Sequence, residues 1–316
     1  MIKSNEQKPK VTFVVIEPDR AGQRIDNFLI SQLKGVPKSL IYRVLRKGEV
    51  RVNKGRVKPD YRLSAGDSVR LPPVRTARSR DPAGISPRLK RFLEGRILWE
   101  DDSILVINKP SGLAVHGGSG VSLGLIEALR AMRPDGGFLE LVHRLDRDTS
   151  GCLMVAKKRS RLKQLHEALR RGGAVEKVYT ALLQGRWKGK RHTLDARLSR
   201  VTTPSGERVV RVSGSGRQSL TEFTVIDRYA QATLVEAKPI TGRTHQIRVH
   251  AQFAGHAIAG DEKYSKKEGN DWVKEIGLNR LFLHASRLRI PGMNGEPGLD
   301  IEAPLDAELI DVLGKL

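Results

Sequence analysis

The chain has 316 residues, 39% of them apolar and 29% charged, which excludes a disordered or collagen-like polymer and, at about 150 residues per domain, predicts two domains. Its 57 Lys and Arg against 35 Asp and Glu leave a net charge of +22, a self-repulsion that adds nothing to folding and points to a polyanionic partner, nucleic acid before an acidic membrane surface. No apolar run reaches the roughly 18 residues of a bilayer span, the start MIKSNEQKPK has no signal-peptide core, and the lone Cys152 makes neither an internal disulfide nor a cysteine zinc site, so a cytoplasmic, reduced protein without a membrane contact is expected.

In chain order, residues 1–18 read as a polar, disordered tail. Residues 19–75 read as a compact basic unit. Ile25, Phe28, Leu29 and Leu33 recur at helical spacing, and Gly35 and Pro37 end that helix. Ser39 can cap a second helix carrying Leu40, Ile41, Val44 and Leu45, closed by Gly48. Short strand pieces follow at Val50–Val52, Val57 and Val69–Leu71, with turns at Asn53-Lys54-Gly55 and Ala65-Gly66-Asp67. Residues 20–75 hold 14 Lys or Arg against 4 Asp or Glu. Lys38, Arg43, Arg46 and Lys47 gather on the second helix and Arg24 stands at the first, an expected phosphate-contacting face.

Residues 76–95 turn rich in Pro, Arg and Ser and lose periodicity, which predicts a linker. From 96 to 316 strands predominate: Ile97–Trp99 and Ile104–Ile107 as a hairpin around Asp101-Asp102-Ser103, then Val178–Leu183, Leu220–Ile226, Thr233–Ala237 and Leu281–Leu283. One helix, capped by Ser160 and stopped by Gly172, carries Leu162, Leu165, Ala168 and Leu169. The expected class is α+β, with a mainly antiparallel mixed sheet.

Several routes to chemistry fail. No histidine pair has zinc-protease spacing, so no metal is expected. The glycine-rich stretch from Gly117 to Gly124 lacks the ending of a phosphate loop, Ser150 has no hydrolase elbow, and Cys152 sits in an apolar run as a small core residue. The segment His143-Arg144-Leu145-Asp146-Arg147-Asp148-Thr149-Ser150-Gly151 is different: leucines interleave with its charges, so Asp146 is expected near-buried, ionised and paired with a guanidinium. Such a carboxylate suits nucleophilic catalysis.

"HRLDRDTSG" resembles the signature of the RluA-type pseudouridine synthases, and "NKPSGLAVH" (Asn108–His116) and "TGRTHQIRVH" (Thr241–His250) resemble two further motifs of that family. "GVPKSLIYRVLRKGEVRVN" (Gly35–Asn53) resembles the S4 RNA-binding domain, and the run is most similar to that of family members acting on large-subunit ribosomal RNA. The resemblance implies a pseudouridine synthase fold, isomerisation of uridine in that RNA, and no cofactor or obligate protein partner, with a monomer expected. By resemblance Asp146 acts at the sugar C1′, Tyr179 of "KVYTAL" stacks on the uracil and helps remove the C5 proton, and the basic Arg248 pairs with the aspartate. Arg144 is the expected wedge filling the space of a flipped base, and Thr241, Gly242 and Arg243 are expected to shape the pocket on the way into an Arg248 strand. His245 and His284 are read as satisfied core histidines. Two other outcomes stay open: a catalytically silent RNA-binding or chaperone protein, and a synthase acting on another RNA. Glycosidic hydrolysis would need a second carboxylate, and Asp148 is expected to point away.

Overall fold

The computed structural model describes residues 10–33, 35–74, 85–117, 123–133, 137–171, 174–265, 271–293 and 295–316. The chain divides into two compact units, Met1–Gly84 and Ile85–Leu316.

The N-terminal unit is two helices on a three-stranded antiparallel sheet. Helix α1 (Ile25–Gln32) buries Ile25, Phe28 and Leu29, and α2 (Lys38–Arg46) buries Ile41, Val44 and Leu45. The strands β1 (Thr12–Val15), β2 (Arg51–Val52) and β3 (Ser68–Leu71) lie in the order β1-β3-β2. Three expectations are corrected here. Of the tail expected to be disordered to residue 18, residues 1–9 lie outside the described residues and residues 10–18 are ordered: β1 pairs with β3, and Ile16 is 1% exposed in the core. Its run Val11–Ile16 is apolar at nearly every position, so alternation does not mark it as a strand. Ser39 is no cap but lies inside α2, which starts from the extended Pro37 without a side-chain cap. Val57 packs on the core from outside any strand.

The second unit opens with α3 (Pro87–Glu94), inside the span expected to be a linker to residue 95. Ser86 Oγ accepts from Leu89 N at 3.2 Å and Pro87 takes the first helical position, so the Ser-Pro pair is a helix start rather than loop composition. Then come β4 (Ile97–Glu100), β5 (Ile104–Lys109), α4 (Leu125–Met132), β6 (Glu140–Leu141), β7 (Ser150–Ala156), α5 (Arg159–Arg170) and β8 (Glu176–Gln184). After β9 (Arg191–Asp195), β10 (Leu198–Thr202), β11 (Arg208–Val212), β12 (Leu220–Arg228) and β13 (Ala232–Pro239) follow α6 (Gln246–Phe253), α7 (Asp271–Glu275), β14 (Leu283–Ile290), β15 (Leu299–Glu302) and α8 (Ala307–Leu313). The glycine-rich residues 118–122, Gly172, and 75–84 of the expected linker lie outside the described residues.

Among the described residues ten strands form one sheet, ordered β4-β5-β7-β14-β8-β13-β12-β9, with β6 on β7 and β15 on β14. Every pairing is antiparallel except β7 with β14, as the mainly antiparallel expectation required. β5 and β7 are buried at every position, which explains their apolar runs Ile104–Ile107 and Cys152–Ala156, whereas β12 alternates Thr221, Phe223 and Val225 inward with Glu222 and Ile226 outward. Where β7 meets β14, Gly151 has φ 107° and any Cβ would strike the Ala285 backbone. That glycine fixes where the strand begins and so where the preceding Asp146 loop is anchored. No helix among the described residues is long and apolar enough to cross a membrane.

Candidate active site

Three segments meet at a cavity of about 660 Å³: the loop between β6 and β7 with Arg144 and Asp146, strand β8 with Lys177 and Tyr179, and the turn from β13 into α6 with Arg243 and Arg248. The three residues expected to carry chemistry are therefore brought together.

Asp146 has a side chain 18% exposed. Arg248 Nη1 and His245 Nε2 each lie 3.7 Å from its Oδ2, and among the described residues its carboxylate accepts no hydrogen bond. It is held in a positive surrounding with its lone pairs open to the cavity. Arg248 lies on a helix, not on the expected strand. Its fork is taken by Asp261, Nε to Oδ2 and Nη2 to Oδ1, both at 2.7 Å, which leaves Nη1 for Asp146. Burial works against the Arg248 charge, but the bonds and charge of Asp261 outweigh it and raise the pKa. Asp261, 1% exposed, is itself tied by the backbone N–H groups of Lys263 and Tyr264 at 3.0 and 3.1 Å. The expected Asp146–Arg248 pair is thus one side of a three-membered chain of charges.

His245 belongs to the same group and is not a core histidine. It stands at φ 54°, ψ 20°, left-handed, at the start of α6. Its Nδ1 is 2.6 Å from the Tyr264 hydroxyl, which already accepts Val210 N–H at 3.0 Å. The hydroxyl keeps a proton it can donate to Nδ1, and the tautomer with the ring proton on Nε2 is assigned because that proton then faces the Asp146 carboxylate. Burial first, then Arg248 and Lys263, lower the His245 pKa against the pull of Asp146, so the ring is neutral at pH 7. His284 is the satisfied core histidine expected, with Nδ1 on Ser150 Oγ at 2.8 Å and Nε2 on Ala303 O at 3.1 Å. That Ser–His pair is fully buried and reaches no cavity.

Tyr179 is 8% exposed, and burial together with the nearby Asp146 charge pushes its phenol well above the usual range. Lys177, two residues earlier on the same face of β8, lines the cavity with no ion pair among the described residues, and burial lowers its pKa. Arg144 and Arg243 are exposed at the cavity, Arg243 Nε donating to Gln218 O at 3.2 Å. Asp148 pairs with Arg147 at 3.1 Å on the surface and does not line the cavity, so the second carboxylate of a hydrolase is not there. Cys152 is a buried thiol pushed up to about 12, foremost by desolvation, and inert.

Lys109 holds the loop in place. It is 0% exposed, and its Nζ donates at 2.8 Å to Pro110 O, Leu113 O and Arg147 O. Burial pulls its pKa down to about 7, yet three acceptors need the three protons of the ammonium, and the charged form is assigned. This ties the "NKPSGLAVH" segment to the Asp146 loop. On the N-terminal unit, Lys38, Arg43, Arg46 and Lys47 are exposed, and their side chains have no ion pair among the described residues. Arg24 differs: its guanidinium is engaged by Asp26 at 2.7 and 3.1 Å.

Sequence reasoning missed Asp261, Tyr264, Lys177 and the role of His245. Lys177 was within reach through the two-residue strand period from Tyr179. Asp261 and Tyr264 come from a turn beyond α6 and carry no local signal.

The family model for RNA pseudouridylate synthase matches residues 103–253, and that for the S4 domain matches residues 23–69. The Ribosomal large subunit pseudouridine synthase C of Haemophilus influenzae is 55% identical, covering 100% of this chain and 99% of its own, and that of Escherichia coli K12 is 57% identical, covering 98% of each. A solved human structure described as RNA pseudouridylate synthase domain containing 4 is 28% identical with a TM-score of 0.61, over 72% of this chain and 95% of that one. A second, domain containing 1, is 29% identical with a TM-score of 0.56. With an S4 module ahead of a sheet that gathers Asp146, Tyr179 and Arg248, and with relatives matching it end to end, the chain belongs to the RNA pseudouridylate synthase family.

Proposed function

We propose that the protein isomerises specific uridines of large-subunit ribosomal RNA to pseudouridine, with Asp146 acting at the ribose C1′. The reaction reading is carried by the open-sided Asp146 carboxylate, held beside Arg248 in a cavity that a flipped nucleotide can enter. The choice of RNA rests on end-to-end similarity to enzymes named for that subunit. The bond from C1′ to N1 breaks, the uracil turns, and C1′ joins C5; C5 loses a proton and N1 gains one, so the product has the mass of the substrate.

Tyr179 offers the uracil a ring face and a hydroxyl donor. Its raised pKa keeps it a phenol at neutral pH, so it is no standing base for the C5 proton. Arg144, exposed at the mouth, fills the vacated stack, and Arg243 with Lys38, Arg43, Arg46 and Lys47 meets phosphates. Arg24, bound to Asp26, contributes less. We further propose a cytoplasmic monomer that needs no cofactor or protein partner.

The test uses large-subunit RNA from cells lacking this gene, incubated with wild type or with Asp146→Asn, followed by mapping of carbodiimide-dependent reverse-transcriptase stops. New stops with wild type alone are expected, with Asp146→Asn below about a thousandth of the rate and its RNA affinity within about twofold. Stops on transfer or small-subunit RNA instead would overturn the substrate, and silence on all three would favour an RNA-binding protein.

A further inference from the structure

Alternation along the strands of the N-terminal unit sorts side chains to two faces. Val14, Val69 and Val52 stand opposite one another and pack with the helices' apolar residues. One step along, Phe13, Arg70 and Arg51 stand opposite one another on the outer face. Phe13 is 65% exposed, and its neighbours on that face, Val11 and Val15, are 40% and 59% exposed. The row borders a basin completed by Lys47 and Lys54, with Glu49 the lone acid lining it.

The basin is preformed. Arg70 Nη1 donates to Glu49 O at 2.6 Å and Arg51 Nε to Gly48 O at 3.3 Å, which fixes both guanidinium planes. Lys54 projects from a two-residue turn in which it and Asn53 have φ of 69° and 49°. Asn53 pins that turn, donating to Asp67 at 2.8 Å and accepting Ser68 N–H at 2.9 Å. A left-handed conformation at two non-glycine residues costs energy and is kept here at the rim of a charged basin.

We propose that this outer sheet face binds an unpaired stretch of RNA, one base stacked on the Phe13 ring and its phosphates on Arg51, Lys54 and Arg70. The site adjoins the basic face of α2, sharing Lys47 with it but built on the outer sheet face, and rests on the reading of the protein as an enzyme of RNA. Every base has a face to stack, so the platform reads single-strandedness rather than sequence. An A-form duplex presents no unstacked base to it. An apolar protein partner would cover Phe13 but leave the guanidinium groups beside it desolvated without anions.

The test measures the affinity of full-length protein for a labelled oligouridylate of about ten nucleotides, a length within the span of single-strand sites. Phe13→Ala is expected to weaken binding about tenfold, as loss of one stacked base does, while Phe13→Tyr restores it and binding to duplex RNA is unchanged. The salt dependence of Phe13→Ala stays that of wild type, whereas Arg51→Gln lowers the log–log slope by about 0.7, one phosphate contact. Phe13→Trp gains tryptophan emission that the oligouridylate quenches, beyond the background of Trp99, Trp187 and Trp272. Wild-type binding with Phe13→Ala unaltered overturns the platform alone. A changed sedimentation coefficient of RNA-free Phe13→Ala, with affinity intact, makes the face a protein interface and overturns it too. Absence of any RNA binding by wild type would overturn the RNA-enzyme reading and this inference with it.

Discussion

Among the described residues the Asp146 carboxylate is placed by charge and not by hydrogen bonds, so its orientation depends on Arg248, and Arg248 depends on Asp261. A lysine has no fork: it can satisfy Asp261 or face Asp146 but not both in fixed geometry. Arg248→Lys is therefore expected to lower the single-turnover rate about a hundredfold with RNA affinity unchanged, in the range of one lost electrostatic contact at a reacting centre. A rate within about threefold of wild type would reduce Arg248 to a tether for the turn. Asp261→Asn strips the buried guanidinium of its counterion and is expected to cost about 3–5 kcal/mol in a denaturant titration as well as rate. Asp146, Tyr179 and Arg248 were legible because each lies in a contiguous motif. Asp261 was not, since an acid 13 residues beyond its partner has the sequence appearance of any surface aspartate.

The element least legible in the sequence is α6. Its run Gln246-Ile247-Arg248-Val249-His250-Ala251 alternates polar and apolar and so reads as a strand. In the structure all six are buried, because Gln246, Arg248 and His250 each find internal partners: Gln246 on Leu220 O and Thr221, Arg248 on Asp261, His250 on Thr221 and Ala196 O. A helical stretch buried on every side has no amphipathic stripe to detect. β1 and α3 escaped for similar reasons, an unpatterned apolar run and a helix start in loop-like composition, while the β4–β5 hairpin and the span of α5 were readable from turn residues and spacing, although Ser160 is no cap but lies inside α5, which starts from Lys158 without a side-chain cap. The three carbonyl bonds of Lys109 show how one side chain couples two elements. Lys109→Met keeps the apolar stem but drops all three bonds, and is expected to cost about 3 kcal/mol. It should also slow turnover at unchanged RNA affinity, because the Asp146 loop loses its hold on residues 110–113. A melting temperature and rate both equal to wild type would show that the loop is held by other means.

At the scale of the molecule the two units have separate cores, one drawn from residues 16–71 and the other from 93–312, and very different titration chemistry. All eight histidines lie beyond residue 115, in the second unit. Four of them, His143, His245, His250 and His284, have pKa values lowered first of all by burial, His143 to about 3. Above pH 6.5 these rings are neutral in the folded and unfolded chain alike and confer no pH dependence. As pH falls below 6.5 the unfolded chain binds their protons and the folded unit resists, so stability drops by about 1.4 kcal/mol per pH unit for each ring held neutral. Carboxylates add a second loss only further down: Asp306 is held low by Arg96 and Arg280 against its burial, and Asp300, at about 2, by Arg287 and Arg289. Against a stability of about 5–15 kcal/mol, His143 held neutral removes about 3 kcal/mol by pH 4, and His245, His250 and His284 add to the loss in the same direction. The N-terminal unit has no histidine, and its lowered carboxylate Asp26, bonded to Arg24, loses its contribution only as pH falls below about 3.8. Acid titration of the full chain should therefore show two transitions, the catalytic unit first. His143→Gln, whose amide oxygen can replace the ring nitrogen that accepts Met154 N–H at 3.1 Å, should flatten the first by close to one proton. A single transition below pH 3 would mean that the buried rings find room to protonate in place, and that the site tolerates more charge than its packing implies.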